Sequence, residues 1–306
     1  MTITKTNHPT WGNCIHMTNG TVELLVTTDY GPRVISANLC GMENIFYQDT
    51  EKKPLGEKFE VFGGDIHVLY GGHRLWIAPE ILPRCYHPDN APVTCESVSG
   101  GMKFIASVEE QNHIRKSITV TLGESGKVNV LHQVENVGLW DVNLSLWCLS
   151  MLDKGGKLIM PITQQDTGLL PNRNISLWAY SNMADHRVYW GKEYMTLQQD
   201  ENTAAPIKIG YSNGDGWAAY FNKGQAFVKY FDYDSSQSYP DNGCNFETFT
   251  NDVMLESETL GPLVNIAPGA CATHSETWVF HKADTMPTND ECDFAKQVKG
   301  FIAANQ

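Results

Sequence analysis

The segment VMLESET places two carboxylates, Glu256 and Glu258, two residues apart. Read as a strand, it puts Met254, Glu256 and Glu258 on one face and Val253, Leu255 and Ser257 on the other. Residues so spaced lie about 6.5–7 Å apart at the backbone. On a wetted face such a pair does nothing in particular. In a sheltered one, mutual repulsion raises one pKa and suits that carboxyl group to proton transfer. The spacing is also near the roughly 6.5–9.5 Å used by inverting glycosidases. A second cluster lies in GGDIHVLYGGHRLWIAPE, which holds Asp65, His67, His73, Arg74 and Glu80. Arg74 carries five donors in a fixed fork, a match for sugar hydroxyls, carboxylates or phosphates. Asp65 and His67 share a strand face and are expected to pair. No further His stands at a metal-ligand spacing, so neither a metal nor a cofactor is expected. A third, looser set contains Arg173, Trp178, Tyr180 and Arg187, with Lys229 further on. If one or two of these cations face a cleft, the substrate is anionic, a uronic acid or a sugar phosphate.

The elements that must hold these groups are short and numerous. Asn19-Gly20 between NCIHM and TVELLVTT is a hairpin signal. Glycine-rich turns recur in LGESGKV, DKGGKL, SNGDGW and FNKGQAF, and about fifteen strand-like runs lie between the turns. That pattern predicts a large antiparallel all-β assembly rather than βαβ winding. One helix is expected, over 288–304. Thr288 and Glu291 are spaced as a capping box, and Phe294, Val298, Phe301 and Ile302 form one apolar face. The simplest organisation is a single domain over 1–306, with a β-sandwich over about 8–282 and the helix docked outside it. The stretch from Pro161 to Asn202 is poor in strand signals and reads as a long loop excursion, where function tends to gather.

Composition narrows the function further. The 306 residues carry 22 Lys+Arg against 35 Asp+Glu, a net charge of −13. That field repels nucleic acid and anionic membranes. No apolar run reaches the roughly 18 residues of a bilayer span. The opening MTITKTNHPTWGNC has no apolar signal core, so a cytoplasmic location is expected. The eight cysteines are scattered without CxxC pairs and are expected to be free thiols.

The C-terminal segment NFETFTND…MLESETLGPLVNIAPGACATHSETW resembles the C-terminal signature of aldose 1-epimerases, the galactose mutarotases. FTND stands at the (F/Y)TGN element, LESE at LE-x-Q, IAPGA at the PGE-type turn and HSETWVF at the final strand. YGGHRLWIAPE resembles the sugar-binding N-R element, with His73 at the Asn position and Arg74 at the Arg. The resemblance implies the galactose mutarotase-like supersandwich, an antiparallel β-sandwich with an open concave face. It implies Glu256 as catalytic base, with Glu258 at the position of the family's Gln. The family's central general-acid His has no counterpart in VENVGLWDVNLSLWCLSML, where Trp147 stands in its place. His73 is then the expected acid. Trp147, Arg74, Glu258, Asp241 and Arg187 are the expected substrate-binding set. The implied activity is interconversion of sugar anomers: Glu256 takes the anomeric proton, the acid protonates the ring oxygen, the ring opens and recloses. Both steps are proton transfers and need no cofactor. The partner would be a small carbohydrate. A glycoside hydrolase or lyase using Glu256 and Glu258 is the alternative, and a non-catalytic sugar-binding module is a third reading.

Overall fold

The structure is a computed structural model that describes residues 1–123 and 126–302. Part of the LGESGKV turn, the Phe301 side chain and the expected end of the helix at 304 lie outside the described residues. The chain forms two large antiparallel sheets, one of eleven strands and one of ten, stacked face to face. The Asn19-Gly20 hairpin forms between Gly12–Thr18 and Val22–Thr27, with Gly20 at φ +87°. The excursion after Pro161 is less irregular than its sequence suggests. It contributes three short strands, Ile175–Leu177, Val188–Trp190 and Tyr194–Gln198.

Alternation along the strands divides the molecule into layers. Leu75, Ile77, Leu146, Cys148, Leu152 and Leu255 from the first sheet meet Phe227, Trp278 and Phe280 from the second, forming the main core. The outer face of the second sheet is covered by the helix Glu291–Ile302, whose Phe294 and Val298 pack on Ile159, Trp217 and Val228. Its cap differs from the expected box. Asp290 accepts the Asp293 N–H at 3.0 Å, and Asp293 reaches back to the Thr288 N–H at 2.7 Å. Glu291 instead accepts the Glu193 N–H at 2.6 Å, tying the helix to the excursion. All eight cysteines are free. Among the described residues no helix is long and apolar enough to cross a membrane.

Five neighbouring strands of the first sheet carry the outward-facing polar groups: His73–Ala78, Val142–Leu152, Leu255–Leu260, Phe246–Thr250 and Ile207–Tyr211, in that spatial order. The register aligns Arg74 with Leu149 and Trp76 with Trp147. Leu149 also aligns with Glu258, and Met151 with Glu256. Glu258 faces Glu247, Glu256 faces Phe249, and Phe249 faces Lys208. One outward row therefore runs across all five strands.

Candidate active site

That row floors a cleft of about 390 Å³, within the usual size range of small-ligand sites. Arg74, Trp76, Trp147, Leu149, Lys208, Phe249 and Glu256 come from the sheet. Trp178 and Tyr180 come from the excursion, and Glu80 and Tyr86 from the segment after the Arg74 strand. The walls are mainly aromatic, and the polar groups are few and convergent.

The two carboxylates of LESE share a face as alternation requires, but their surroundings separate them. Glu258 is fully buried. It accepts the Trp147 indole N–H at 2.7 Å and the Lys208 ammonium at 3.0 Å. Lys208 also pairs with Glu247 at 2.8 Å and sits over the rings of Trp147 and Trp178 at 4.5 and 4.7 Å. Burial alone would lower the Lys208 pKa; Glu258 and Glu247 outweigh it and hold the ammonium well above its ordinary value. Glu258 is thus committed through Oε2 to an ion cluster, where Trp147 uses its N–H to hold it, while its Oε1 is buried without a hydrogen-bond partner.

Glu256 is 8% exposed and opens into the cleft. Burial, with Glu258 beside it, pushes its pKa up to about 8 against the pull of Arg74 and Lys208. A carboxyl group so poised exchanges a proton readily near neutral pH. Arg74, 3% exposed, lies against the Trp76 ring with its guanidinium carbon 4.0 Å from the centroid.

The other expected site residues go elsewhere. His73 is completely buried and points to the opposite face of its strand from Arg74, so it is corrected from cleft acid to core residue. Two consecutive strand residues cannot serve one face. Arg187 is held by Asp185 at 2.7 Å and by the Ala205 carbonyl at 2.6 Å, in a separate groove with His186 and Asp200. Asp241 sits in a tight turn at φ +52°, its carbonyl accepting from Ser176, and does not line the cleft. His67 does not pair with Asp65: its Nδ1 lies 3.8 Å from Asp89, and neither ring nitrogen has a hydrogen-bond partner. Asp65 lies beside the Asn90 amide instead.

His73 belongs to a polar network between the sheets that sequence reading missed. Its Nε2 lies 2.7 Å from His132 Nε2, and its Nδ1 lies 2.9 Å from Ser150 Oγ. His132 Nδ1 faces the His274 carbonyl at 3.0 Å. A carbonyl only accepts, so His132 carries its proton on Nδ1. His73 then donates from Nε2 and accepts from Ser150. Glu276 accepts from Trp278 at 2.7 Å and from Thr259, and pairs with Lys229 at 3.0 Å. His73, His132 and Glu276, and likewise Cys148, His274 and Glu276, bring potential ligand atoms within 4.8 Å of one another. A metal there would have to displace Lys229 and break a chain in which His73 and His132 have all their ring nitrogens engaged, so the donor set does not fit one.

No protein-family model matches the sequence, and no curated protein matches it. Solved structures do. A TPR-domain containing protein from Parabacteroides distasonis ATCC 8503 aligns at TM-score 0.60 and 13% identity over 89% of this chain, which spans 48% of that protein's length. A galactose mutarotase-like protein from Clostridium acetobutylicum aligns at 0.53 and 12% identity, covering 92% of this chain and 98% of its own. A galactose mutarotase-like protein from Lactobacillus casei ATCC 334 aligns at 0.54 and 9% identity, covering 88% and 100%. The chain has the galactose mutarotase-like fold. At these identities the likeness is one of fold, and within that fold the LESE strand lies in the floor of the cleft.

Lys208 and Tyr86 were not singled out from sequence, whereas Glu80 stood in the His73–Arg74 cluster and Trp178 and Tyr180 in the looser set of the excursion. Trp178 and Tyr180 carried a signal, their place in the excursion. Lys208 carried none, since IKIGY is an ordinary strand.

Proposed function

We propose that this protein is a carbohydrate isomerase of the aldose 1-epimerase type, acting in the cleft with Glu256 as its proton-transferring group. The observation that carries the reading is the contrast within LESE. Glu258 is sealed into an ion cluster, while Glu256 alone of the two opens into an aromatic-walled cleft with a pKa near 8. A sugar ring has apolar faces that suit the Trp76, Trp147 and Trp178 surfaces. Its anomeric hydroxyl then gives its proton to the ionised form of Glu256, which a pKa near 8 keeps populated as a minor share at neutral pH.

The ring oxygen needs a donor. Two phenols line the cleft, Tyr86 and Tyr180, and burial raises both pKa values, so both stay protonated. Tyr86 already donates its single O–H to Glu80 at 2.6 Å, so Tyr180 is the phenol whose proton is available to the ring oxygen. The hydrolase reading is weakened by the loss of Glu258 from the reacting pair.

The test is anomer exchange by NMR magnetisation transfer over a panel of aldoses and uronates. Glu256→Gln keeps the shape and should lower the catalysed exchange by about 10²–10⁴-fold with affinity nearly unchanged. Exchange that survives in Glu256→Gln removes this reading.

A further inference from the structure

Burying a cation without a counter-charge is costly, and native proteins pair such groups. Among the described residues seven Lys or Arg side chains are buried: Arg33, Arg74, Lys116, Lys157, Arg187, Lys208 and Lys229. Five have a carboxylate within 3.0 Å: Arg33 with Asp89, Lys116 with Glu109, Arg187 with Asp185, Lys208 with Glu247 and Glu258, and Lys229 with Glu276. Lys157 is held by the Pro287 carbonyl at 2.6 Å and Asn289 at 3.0 Å. Arg74 differs from all six. Its Nε and Nη1, like those of Arg33, are buried with no hydrogen-bond partner, but where Arg33 keeps an ion pair with Asp89, no carboxylate lies within ion-pair distance of Arg74. Its neighbour on the strand face is an indole ring, and the guanidinium lines the cleft that Glu256 opens into.

We propose that the cleft's ligand is a sugar acid: a monosaccharide bearing one carboxylate, which Arg74 receives. This rests on the carbohydrate reading and specifies the substrate class. The charge count selects the anion. Lys208 is already matched by two carboxylates, so the cleft offers one uncompensated cation. A carboxylate brings one charge and two coplanar oxygens that match the guanidinium fork. A phosphate ester brings about −1.5 to −2, and its excess would fall beside Glu80, Glu256 and Glu258 with no second free cation to meet it. Burial and the nearby Arg33 push the Arg74 pKa down to about 10, the direction expected of a guanidinium lacking its partner.

The test is calorimetric titration of wild type, Arg74→Gln and Arg74→Lys with glucuronate, galacturonate, glucose, galactose and glucose 6-phosphate. In wild type a uronate should bind at least tenfold more tightly than its matching hexose, and glucose 6-phosphate more weakly than the better uronate. Arg74→Gln should lose about 10–100-fold toward that uronate, the worth of one charge-assisted contact, with hexose affinity changed less than threefold. Arg74→Lys keeps the charge without the fork and should fall between, which also covers the case that the Gln variant does not fold. Hexoses binding as tightly as uronates, equal losses toward both in Arg74→Gln, or phosphate binding most tightly would each overturn the proposal while leaving the carbohydrate reading in place. If none of the five sugars binds, the carbohydrate reading fails and the sugar acid with it.

Discussion

The same three strands carry two polar clusters, one on each face of the first sheet. Inward, His73, Ser150, Ser257 and Thr259 join His132, His274, Lys229 and Glu276 between the sheets. Outward, Arg74, Trp147, Glu256 and Glu258 join Lys208 and the excursion. The inward cluster pairs its charges: Lys229 meets Glu276, and each nitrogen of His73 and His132 is used once, with the Ser257 hydroxyl left without a partner. The outward cluster is ion-paired only at one end, around Lys208. At the other end Arg74 and Glu256 have neither an ion-pair partner nor water enough to replace one. Finished networks specify a fold; unfinished ones in a cleft are where a ligand completes the bonding. Burial alone does not distinguish the two, since both clusters are sheltered.

The comparison is most sharply tested by Lys229→Met. It removes the ammonium but leaves Glu276 fully buried, and should cost about 3–5 kcal/mol of stability, read as a fall in urea midpoint at unchanged slope. Lys229→Met with Glu276→Leu should recover much of that loss, because the pair is then replaced by apolar groups. Arg74→Gln on the outward face should cost nothing or stabilise slightly, since it removes a charge without a partner. Equal losses on the two faces would mean that Arg74 has a structural role, and the contrast between a finished and an unfinished network would be wrong.

Acidity separates the faces next, with opposite signs. Burial lowers the pKa of His73, of His132 and of His274, the last to about 4. Below about pH 6.5 the unfolded chain takes up protons that the folded rings refuse. Their contribution is therefore fully present above that pH and lost as pH falls, by about 1.4 kcal/mol per unit for each ring. Glu256 acts the other way. Its folded pKa near 8 lies above the ordinary 4.5, so its contribution is present below pH 4.5 and lost as pH rises through 8. Burial is the main cause of that shift, with Glu258 and Glu80 adding to it and Arg74 and Lys208 opposing it. Urea midpoints between pH 5 and 8.5 should fall at both ends, and Glu256→Gln should flatten only the alkaline limb. A stability that does not fall from pH 7 to 5 would show that the inner histidines take up protons in the fold at least as readily as in the unfolded chain.

Much of the outward cluster was legible in sequence. The i, i+2 spacing of Glu256 and Glu258 put both on one face, and the likeness of HRLWIAPE to a sugar-binding element brought Arg74 to it. Trp147 arrived at the same cleft, although it holds Glu258 as well as presenting a ring. The misassignment of His73 contradicts a rule the sequence already supplied: if Arg74 faces out from a strand, its neighbour faces in. The inner network was unreadable for a different reason. His73, His132, Lys229, His274 and Glu276 come from four strands spread over two hundred residues, and only the stacking of two sheets brings them together. Arg187 and Asp241 failed because a local partner or turn satisfies them, which spacing alone does not reveal.

The smallest effect belongs to Ser150→Ala, and it tests the wiring rather than the strength of the inner cluster. Ser150 aligns with His73 across the strand pair, and its hydroxyl donates to Nδ1 at 2.9 Å. Without it that lone pair is buried and unmet, at a cost of about 1 kcal/mol. The direction of the chain follows from the His274 carbonyl, which forces the proton of His132 onto Nδ1 and hence that of His73 onto Nε2. Long-range ¹H–¹⁵N NMR should show those two opposite tautomers in the wild type. The Ala variant should shift the His73 Nδ1 resonance and leave the protonated nitrogen unchanged. Anomer exchange should stay within about twofold, because none of these groups reaches the cleft and a neutral hydrogen bond on the far face alters no charge at Glu256. A large loss of exchange would connect His73 to the reaction after all, through the sheet rather than across the cleft.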